Sequence, residues 1–215
     1  MNASEILEIL RSHGDPANVA GMARYGICVE GTLGVSIPIV RGLAREAGND
    51  HALALALWKS GVHEARILAS MVDERDRVTP AQMDRWARDF DSWDVCDQVC
   101  HNLFRYTPHA WGKAVEWAGS DREFVKRAGF SLMAGLAVKD KEAIDDRFEA
   151  LLPLIAQAAG DDRNMVKKAV NWALRQIGKR NPRLRRRAIT TAKEIQKQGT
   201  RPARWIAADA LRELE

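Results

Sequence analysis

Apolar residues recur at helical spacing along almost the whole chain, and no segment shows the apolar–polar alternation of a half-buried strand. Sequence signals for helix starts reinforce this pattern. The clearest is Thr79-Pro80-Ala81-Gln82, which has a capping threonine, a proline at the first helical position and a glutamine three residues past the cap. The chain is therefore predicted to be all-helical.

The spacing of these signals predicts about a dozen helices joined by short connections. Paired antiparallel helices of this size are typical of an α-solenoid, and an all-helical globular bundle is the alternative. A long helix is expected over about 141–159, and Ser120-Asp121-Arg122-Glu123 is expected to form a capping box at the start of another. At 215 residues, we expect a single domain over residues 1–215.

Hydropathy and cysteine content limit the class of protein. There is no apolar run of about 18 residues and no N-terminal signal segment, so we expect a cytoplasmic protein with no membrane partner. Three cysteines, an odd number, argue against a disulfide scaffold. Cys96, Cys100 and His101 could suggest metal ligands, but no second Cys/His pair exists, so buried thiols are favoured over a metal site.

Positive charge is concentrated in the C-terminal third of the sequence. Residues 163–201 contain 13 lysines and arginines but a single acid, Glu194, although the formal net charge of the whole chain is only +4. Residues 1–162 contain 18 basic and 25 acidic residues. This asymmetry favours a polyanion partner, and the alternative is a solvated basic face.

A tryptophan and a carboxylate share one face of a predicted helix in the middle of the chain. Trp93 and Asp97 are four residues apart, so both side chains project from the same side, one turn apart. The helix dipole explains Asp94 in the first turn, whereas Asp97 lies beyond that turn. The simpler interpretation is a core ring beside a surface acid, and the functional one is a binding surface that contains a carboxylate.

Two later helices carry cations among apolar or aromatic residues. Arg127 lies in a largely apolar helix, where an arginine either extends to solvent or points at an anion. Trp172 is flanked by lysines and arginines, a pattern typical of nucleic-acid binding, with core packing as the alternative. The candidate contacts to a phosphate backbone are Lys126, Lys168, Arg175, Lys179, Arg180 and Arg183.

Four segments of the chain form a characteristic series. They are Trp58-x-Ser60-x-x-His63-Glu64-x-Arg66, Trp93-Asp94-x-x-Asp97, Lys126-Arg127-Ala128, and Lys168-Ala169-Val170-x-Trp172-Ala173-Leu174-Arg175-x-Ile177-Gly178-Lys179. Each segment is weak alone, but in their order and approximate spacing they resemble the AlkD-type DNA alkylation repair glycosylases, which are built from HEAT-like helical repeats. The resemblance covers most of the chain.

The resemblance implies an α-solenoid of HEAT-like antiparallel helix pairs that hydrolyses the N-glycosidic bond of N3- and N7-alkylated purines in double-stranded DNA. By match, Asp97 is the catalytic carboxylate, Trp93 and Trp172 pack against the deoxyribose of the lesion, and Arg127 holds the DNA backbone. It also implies that the base is not extruded into a pocket, unlike in most glycosylases. We therefore expect the helices that carry Trp93, Arg127 and Trp172 to line one groove. We also expect a monomer of the bacterial cytosol or nucleoid.

Elementary chemistry agrees with that assignment. Alkylation at N3 or N7 makes the purine cationic and a good leaving group, and its departure leaves an oxocarbenium-like sugar. One carboxylate can stabilise that sugar and position a water, so no metal or cofactor is expected.

Two other functions are alternatives to the glycosylase. They are a HEAT-like module that binds nucleic acid without chemistry and a protein-binding scaffold. Only Asp97 separates the enzyme from the binding module.

Overall fold

The computed structural model describes every residue from Met1 to Glu215 and contains α-helices and short 3-10 turns but no strand. The all-helical prediction is confirmed. The chain forms two compact units, Met1–Thr107 and Pro108–Glu215. The prediction of a single domain over residues 1–215 stays a prediction. None of the helices has the length and apolar character that crossing a bilayer requires.

The first unit is arranged around its fifth helix. Its helices are α1 (Ala3–Ser12), α2 (Pro16–Ala23), α3 (Ile37–Ala47), α4 (His51–Lys59), α5 (His63–Val72), α6 (Pro80–Arg88) and α7 (Trp93–Asn102), with 3-10 turns at Arg75–Arg77 and Phe104–Tyr106. Helix α5 packs against α3, α4 and α7, and eight of its ten residues are buried. Because the contacts His63–Asp94 and Ser70–Asn102 advance together along both helices, α5 and α7 run parallel.

The second unit has a row of parallel helices. Its helices are α8 (Ala110–Ala118), α9 (Glu123–Lys139), α10 (Asp145–Glu149), α11 (Leu152–Ala158), α12 (Asn164–Gly178), α13 (Pro182–Lys197) and α14 (Arg201–Leu214). Asn171 bonds Asp209 and Arg175 bonds Glu213, so α12 and α14 run in the same direction. Helices α9 and α12 are also parallel, because Arg127 bonds Met165 near their starts and Ala137 bonds Arg180 near their ends. Helix α13 packs against α11, α12 and α14. The second unit therefore has the stacked helix pairs that the sequence predicts.

The prediction of one long helix over about 141–159 is wrong. The segment forms the two short helices α10 and α11, and Pro153 lies in the first turn of α11. Proline has no N–H to donate and its ring clashes with the carbonyl four residues earlier, so a continuous helix cannot pass through it. The residues before α10 form a loop, where the Arg180 guanidinium donates to the carbonyl oxygens of Lys141 (3.2 Å) and Ala143 (2.9 Å).

The predicted capping box at the start of α9 is also wrong. The helix begins at Glu123 with Arg122 in the cap position, and the Ser120 hydroxyl accepts a hydrogen bond from the Arg122 N–H (3.2 Å). A capping box would require Asp121 to be helical. Its carbonyl oxygen instead accepts a hydrogen bond from the Arg163 guanidinium (2.6 Å), which holds this segment in a turn.

Helices α8 and α9 approach each other closely at Gly129, so the stability of the protein should depend on glycine at this position. A Cβ at Gly129 would lie 2.6 Å from the Ala118 nitrogen and 3.0 Å from the Ala114 carbonyl oxygen, and backbone atoms cannot rotate away as a side chain can. We expect Gly129→Ala to destabilise the protein by about 1–3 kcal/mol, measured by urea unfolding.

The matched control for this prediction is Gly112→Ala in the partner helix α8. Nothing lies within 4 Å of a Cβ at Gly112, so the helix propensity of alanine should leave stability unchanged or raise it by about 0.5–1 kcal/mol. Equal unfolding midpoints for Gly129→Ala and the wild type would contradict the close approach.

Candidate active site

The start of α7 is fixed by a buried polar group of three side chains. The Ser92 hydroxyl donates to one oxygen of Asp94 (2.6 Å), and Nε2 of His63 lies 2.8 Å from the other. Ser92 and His63 are almost fully buried. Burial alone would raise the pKa of Asp94, but the hydrogen bonds from His63 and then Ser92 outweigh it and lower that pKa below its usual value. Asp94 therefore stays ionised at neutral pH and anchors α7 to α5.

Trp93 and Asp97 both line one cavity of about 660 Å³ inside the first unit. Both side chains are partly exposed, so neither is a core residue. The Trp93 indole N–H donates to the carbonyl oxygen of Tyr25 (3.1 Å), which limits rotation of the ring. Tyr25 also lines the cavity and is 74% exposed. The cavity thus combines three carboxylates, of Glu64, Asp94 and Asp97, and two aromatic residues with a largely apolar lining.

A buried glutamate holds another part of the cavity wall. Glu64, which is 1% exposed, accepts backbone N–H bonds from Leu33 (3.0 Å), Gly34 (2.7 Å) and Val35 (3.1 Å). Gly34 has a positive φ of 80°, and a Cβ there would lie 2.2 Å from the Asp15 carbonyl oxygen, so the loop requires glycine at this position. One carboxylate therefore satisfies three amides of an otherwise irregular loop.

Replacing this glutamate tests that role. An amide at position 64 keeps one acceptor oxygen but turns an NH₂ donor toward the N–H groups of the loop. We expect Glu64→Gln to destabilise the protein by about 1.5–3 kcal/mol, measured by urea unfolding, because hydrogen bonds to a charged group are lost in a buried site. Glu46→Gln, an exposed change in the same unit, is the control. If the two variants unfold at the same urea concentration, Glu64 does not hold the loop.

The two thiols predicted to be buried lie in the same helix as Trp93. Cys96 and Cys100 are both fully buried in the first unit. No group of three or more histidine, cysteine, aspartate or glutamate side chains is placed to hold a metal ion.

Arg127 and Trp172 lie in the second unit, on α9 and α12. Arg127 is 5% exposed, and its guanidinium donates to the Met165 carbonyl oxygen (2.7 Å). Trp172 is partly exposed. Lys126 pairs with Asp161 (3.0 Å), which also binds the guanidinium of Arg163. The Arg163 hydrogen bond, with a further contribution from Lys126, lowers the pKa of Asp161 to about 2.

Most of the other predicted phosphate contacts already bind groups of their own chain. Arg175 and Lys179 both pair with Glu213, and Arg183 pairs with Asp146 and Glu149. Arg180 donates to the carbonyl oxygens of Ala137, Lys141 and Ala143. Lys168 is exposed and has no acidic partner. The C-terminal third is consequently less positive at its surface than the count of 13 basic residues suggests.

Sequence reasoning identified Trp93 and Asp97, which share one cavity, but missed their neighbours. The sequence pointed to His63 and Glu64 only through the family resemblance, and it gave no signal for Tyr25. The adjacent residues His63 and Glu64 do indicate that partner groups lie nearby, because two ionisable residues at the buried start of a helix require hydrogen-bond or charge partners. The partners themselves lie about 30 residues away in the sequence, so no local pattern could name them.

The chain matches the family model described as DNA alkylation repair enzyme over residues 6–214. It also matches a solved structure described as a new family of proteins related to the HEAT-like repeat DNA glycosylases with affinity for branched DNA structures. That match covers 90% of this chain and 83% of the other, with a TM-score of 0.80 and 20% sequence identity. The predicted HEAT-like helical fold is therefore confirmed.

A shorter likeness involves part of a reductase. Over 103 residues, 48% of the chain, the sequence is 35% identical to the chloroplastic ferredoxin–nitrite reductase of Zea mays. The chain spans only 16% of that protein.

Proposed function

Because the chain belongs to the DNA alkylation repair enzyme family, we propose that it is a monofunctional DNA glycosylase. The proposed substrates are cationic N3- and N7-alkylated purines in double-stranded DNA, and the proposed reaction is hydrolysis of the N-glycosidic bond. The observation that supports this best is that Asp97 and Trp93 line the same cavity.

The chemistry required of Asp97 is modest because the substrate is already activated. The alkylated purine carries a positive charge, so it leaves with the electron pair of the glycosidic bond as a neutral base. The sugar left behind is oxocarbenium-like, and the Asp97 carboxylate stabilises its positive charge. The same carboxylate accepts a proton from the water whose oxygen bonds to C1′ of the sugar. The products are the free base and an abasic site.

Aromatic side chains complete the proposed site. The Trp93 ring, held through its N–H by the Tyr25 carbonyl, packs against the deoxyribose and excludes bulk water. The roles of Trp172 at the deoxyribose and of Arg127 at the DNA backbone rest on the resemblance alone, and Arg127 is buried and bonded to the Met165 carbonyl oxygen. Among the proposed backbone contacts, Lys168 is the cation most available to a phosphate, since it is exposed and has no acidic partner.

A second candidate function is binding of DNA without chemistry. It is favoured by the structural neighbour, which is described as having affinity for branched DNA structures. An enzyme and a binding module would use the same basic residues, and only the first requires Asp97.

The experiment that separates the two is release of 7-methylguanine from methylated DNA by the wild type and by Asp97→Asn, with DNA binding measured in parallel. The glycosylase proposal requires release by the wild type and its loss in the variant. Binding by both proteins with release by neither would support the binding module instead.

A further inference from the structure

An exposed tryptophan lies at the start of the last helix, in the second unit. Trp205 is 41% exposed, whereas Trp58, Trp86 and Trp117 are all buried. The ammonium group of Lys167 on α12 lies over its ring, 4.9 Å from the centroid. A cation over an indole face in this geometry is attractive, so the ring is oriented from one side while the rest of it faces solvent.

The surroundings of Trp205 are positive. Arg201 and Arg204 are exposed in the first turn of α14, and Lys167 of α12 lies over the Trp205 ring. The Arg204 guanidinium donates only to a backbone carbonyl, and neither Arg201 nor Lys167 has an acidic partner. The acids of α14 lie one and two turns further on, at Asp209 and Glu213.

Both acids already bind side chains from the middle and the C-terminal halves of the two helices. Asp209 binds Asn171, Arg175 and Arg212, and Glu213 binds Arg175 and Lys179. Because α12 and α14 run parallel, their N-terminal halves lie side by side. The charged residues of these two halves are all cations. Charge is therefore separated along this helix pair, with the excess positive charge around Trp205.

This surface adjoins residues already proposed to contact DNA. Lys168 follows Lys167 directly and lies one helical turn before Trp172 on α12.

We propose that Lys167, Arg201, Arg204 and Trp205, here called the Trp205 patch, bind an unpaired nucleotide of DNA. The exposed indole face stacks on the base, and the three cations contact the flanking phosphates. A base inside a duplex has both faces covered by its neighbours, so stacking on an exposed ring selects an unpaired one. The inference rests on the proposed function only in taking DNA as the ligand, and it does not require Asp97.

The test compares two labelled DNAs by fluorescence anisotropy. One is a duplex with an unpaired oligothymidine flap, and the other is the same duplex without the flap. The proteins are the wild type, Trp205→Ala, Trp205→Phe and the control Ile144→Ala, which removes an apolar side chain that is 65% exposed in the same unit. Circular dichroism and urea unfolding establish that each variant is folded.

We expect the wild type to prefer the flapped duplex and Trp205→Ala to lose about fivefold or more in affinity for it, with little change on the plain duplex. Trp205→Phe, which keeps an aromatic face, should retain most of the preference, and Ile144→Ala all of it. Unchanged flap affinity in Trp205→Ala, an equal loss on both DNAs, or no flap preference in the wild type would overturn the proposal.

Failure of this inference and failure of the glycosylase proposal are distinguishable. Asp97→Asn should keep the full flap preference, because the Trp205 patch and Asp97 belong to different units. If flap preference depends on Trp205 while no base is released, only the proposed reaction fails. If base is released while Trp205→Ala binds like the wild type, only the Trp205 patch fails.

Discussion

Replacing Asp97 with asparagine is expected to slow release of 7-methylguanine from methylated DNA by about 100-fold or more. The amide has nearly the same size as the carboxylate but no charge, so it cannot stabilise an oxocarbenium-like sugar or accept the proton of water. The measurement is single-turnover release with protein in excess over DNA, so that DNA binding does not limit the rate. DNA affinity should be preserved, because the substitution removes no cation.

The matched control for this variant is Asp76→Asn. Asp76 is an exposed aspartate in the same unit and does not line the cavity, so its substitution should leave the release rate unchanged. Release by Asp97→Asn within about tenfold of the wild-type rate would remove Asp97 from the chemistry, since a catalytic base of this kind contributes more.

Lesions without a positive charge are expected to be released at least about 100-fold more slowly than 7-methylguanine. A neutral base such as uracil or hypoxanthine leaves as an anion unless an acid protonates it. The other two carboxyl groups that line the cavity already have partners. His63 and Ser92 hold Asp94 in its ionised form, and Glu64 accepts three backbone N–H bonds. Asp97 is proposed to act as a base.

The selectivity test uses duplexes of one sequence that differ only at a single position, which carries 7-methylguanine, hypoxanthine or uracil. Equal affinity for the three duplexes would show that selection occurs in the chemical step and not in binding. Release of uracil or hypoxanthine at a rate comparable to that of 7-methylguanine would contradict the mechanism, because it would require a proton donor and the proposed reaction uses none.

Local sequence chemistry predicted most of the helices. The Thr79 hydroxyl accepts the N–H of Gln82, and α6 begins at Pro80, as the cap motif predicts. Prediction failed where a distant group competes with the local preference. Arg163 and Arg180 bind carbonyl oxygens about 40 residues away, and each thereby holds a segment out of the helix that its own residues favour.

The candidate site was predictable only where it depends on local helix geometry. Trp93 and Asp97 share a face because they are four residues apart, which is a local property of any helix. The cation contacts depend on which acids the fold brings near. Glu213 is more than 30 residues from Arg175 and Lys179, and Asp161 is 35 residues from Lys126. A count of charges along the sequence therefore overstated the positive charge available to DNA.

The reaction itself provides the most direct test of the proposed function. The wild-type protein, in excess, is incubated with a duplex that contains a single 7-methylguanine, and free base and abasic sites are counted over time. We predict that the two accumulate in equal numbers until the lesion is consumed, because hydrolysis of one glycosidic bond produces one of each. A duplex that is fully bound yet keeps its methylated base throughout would contradict the glycosylase proposal.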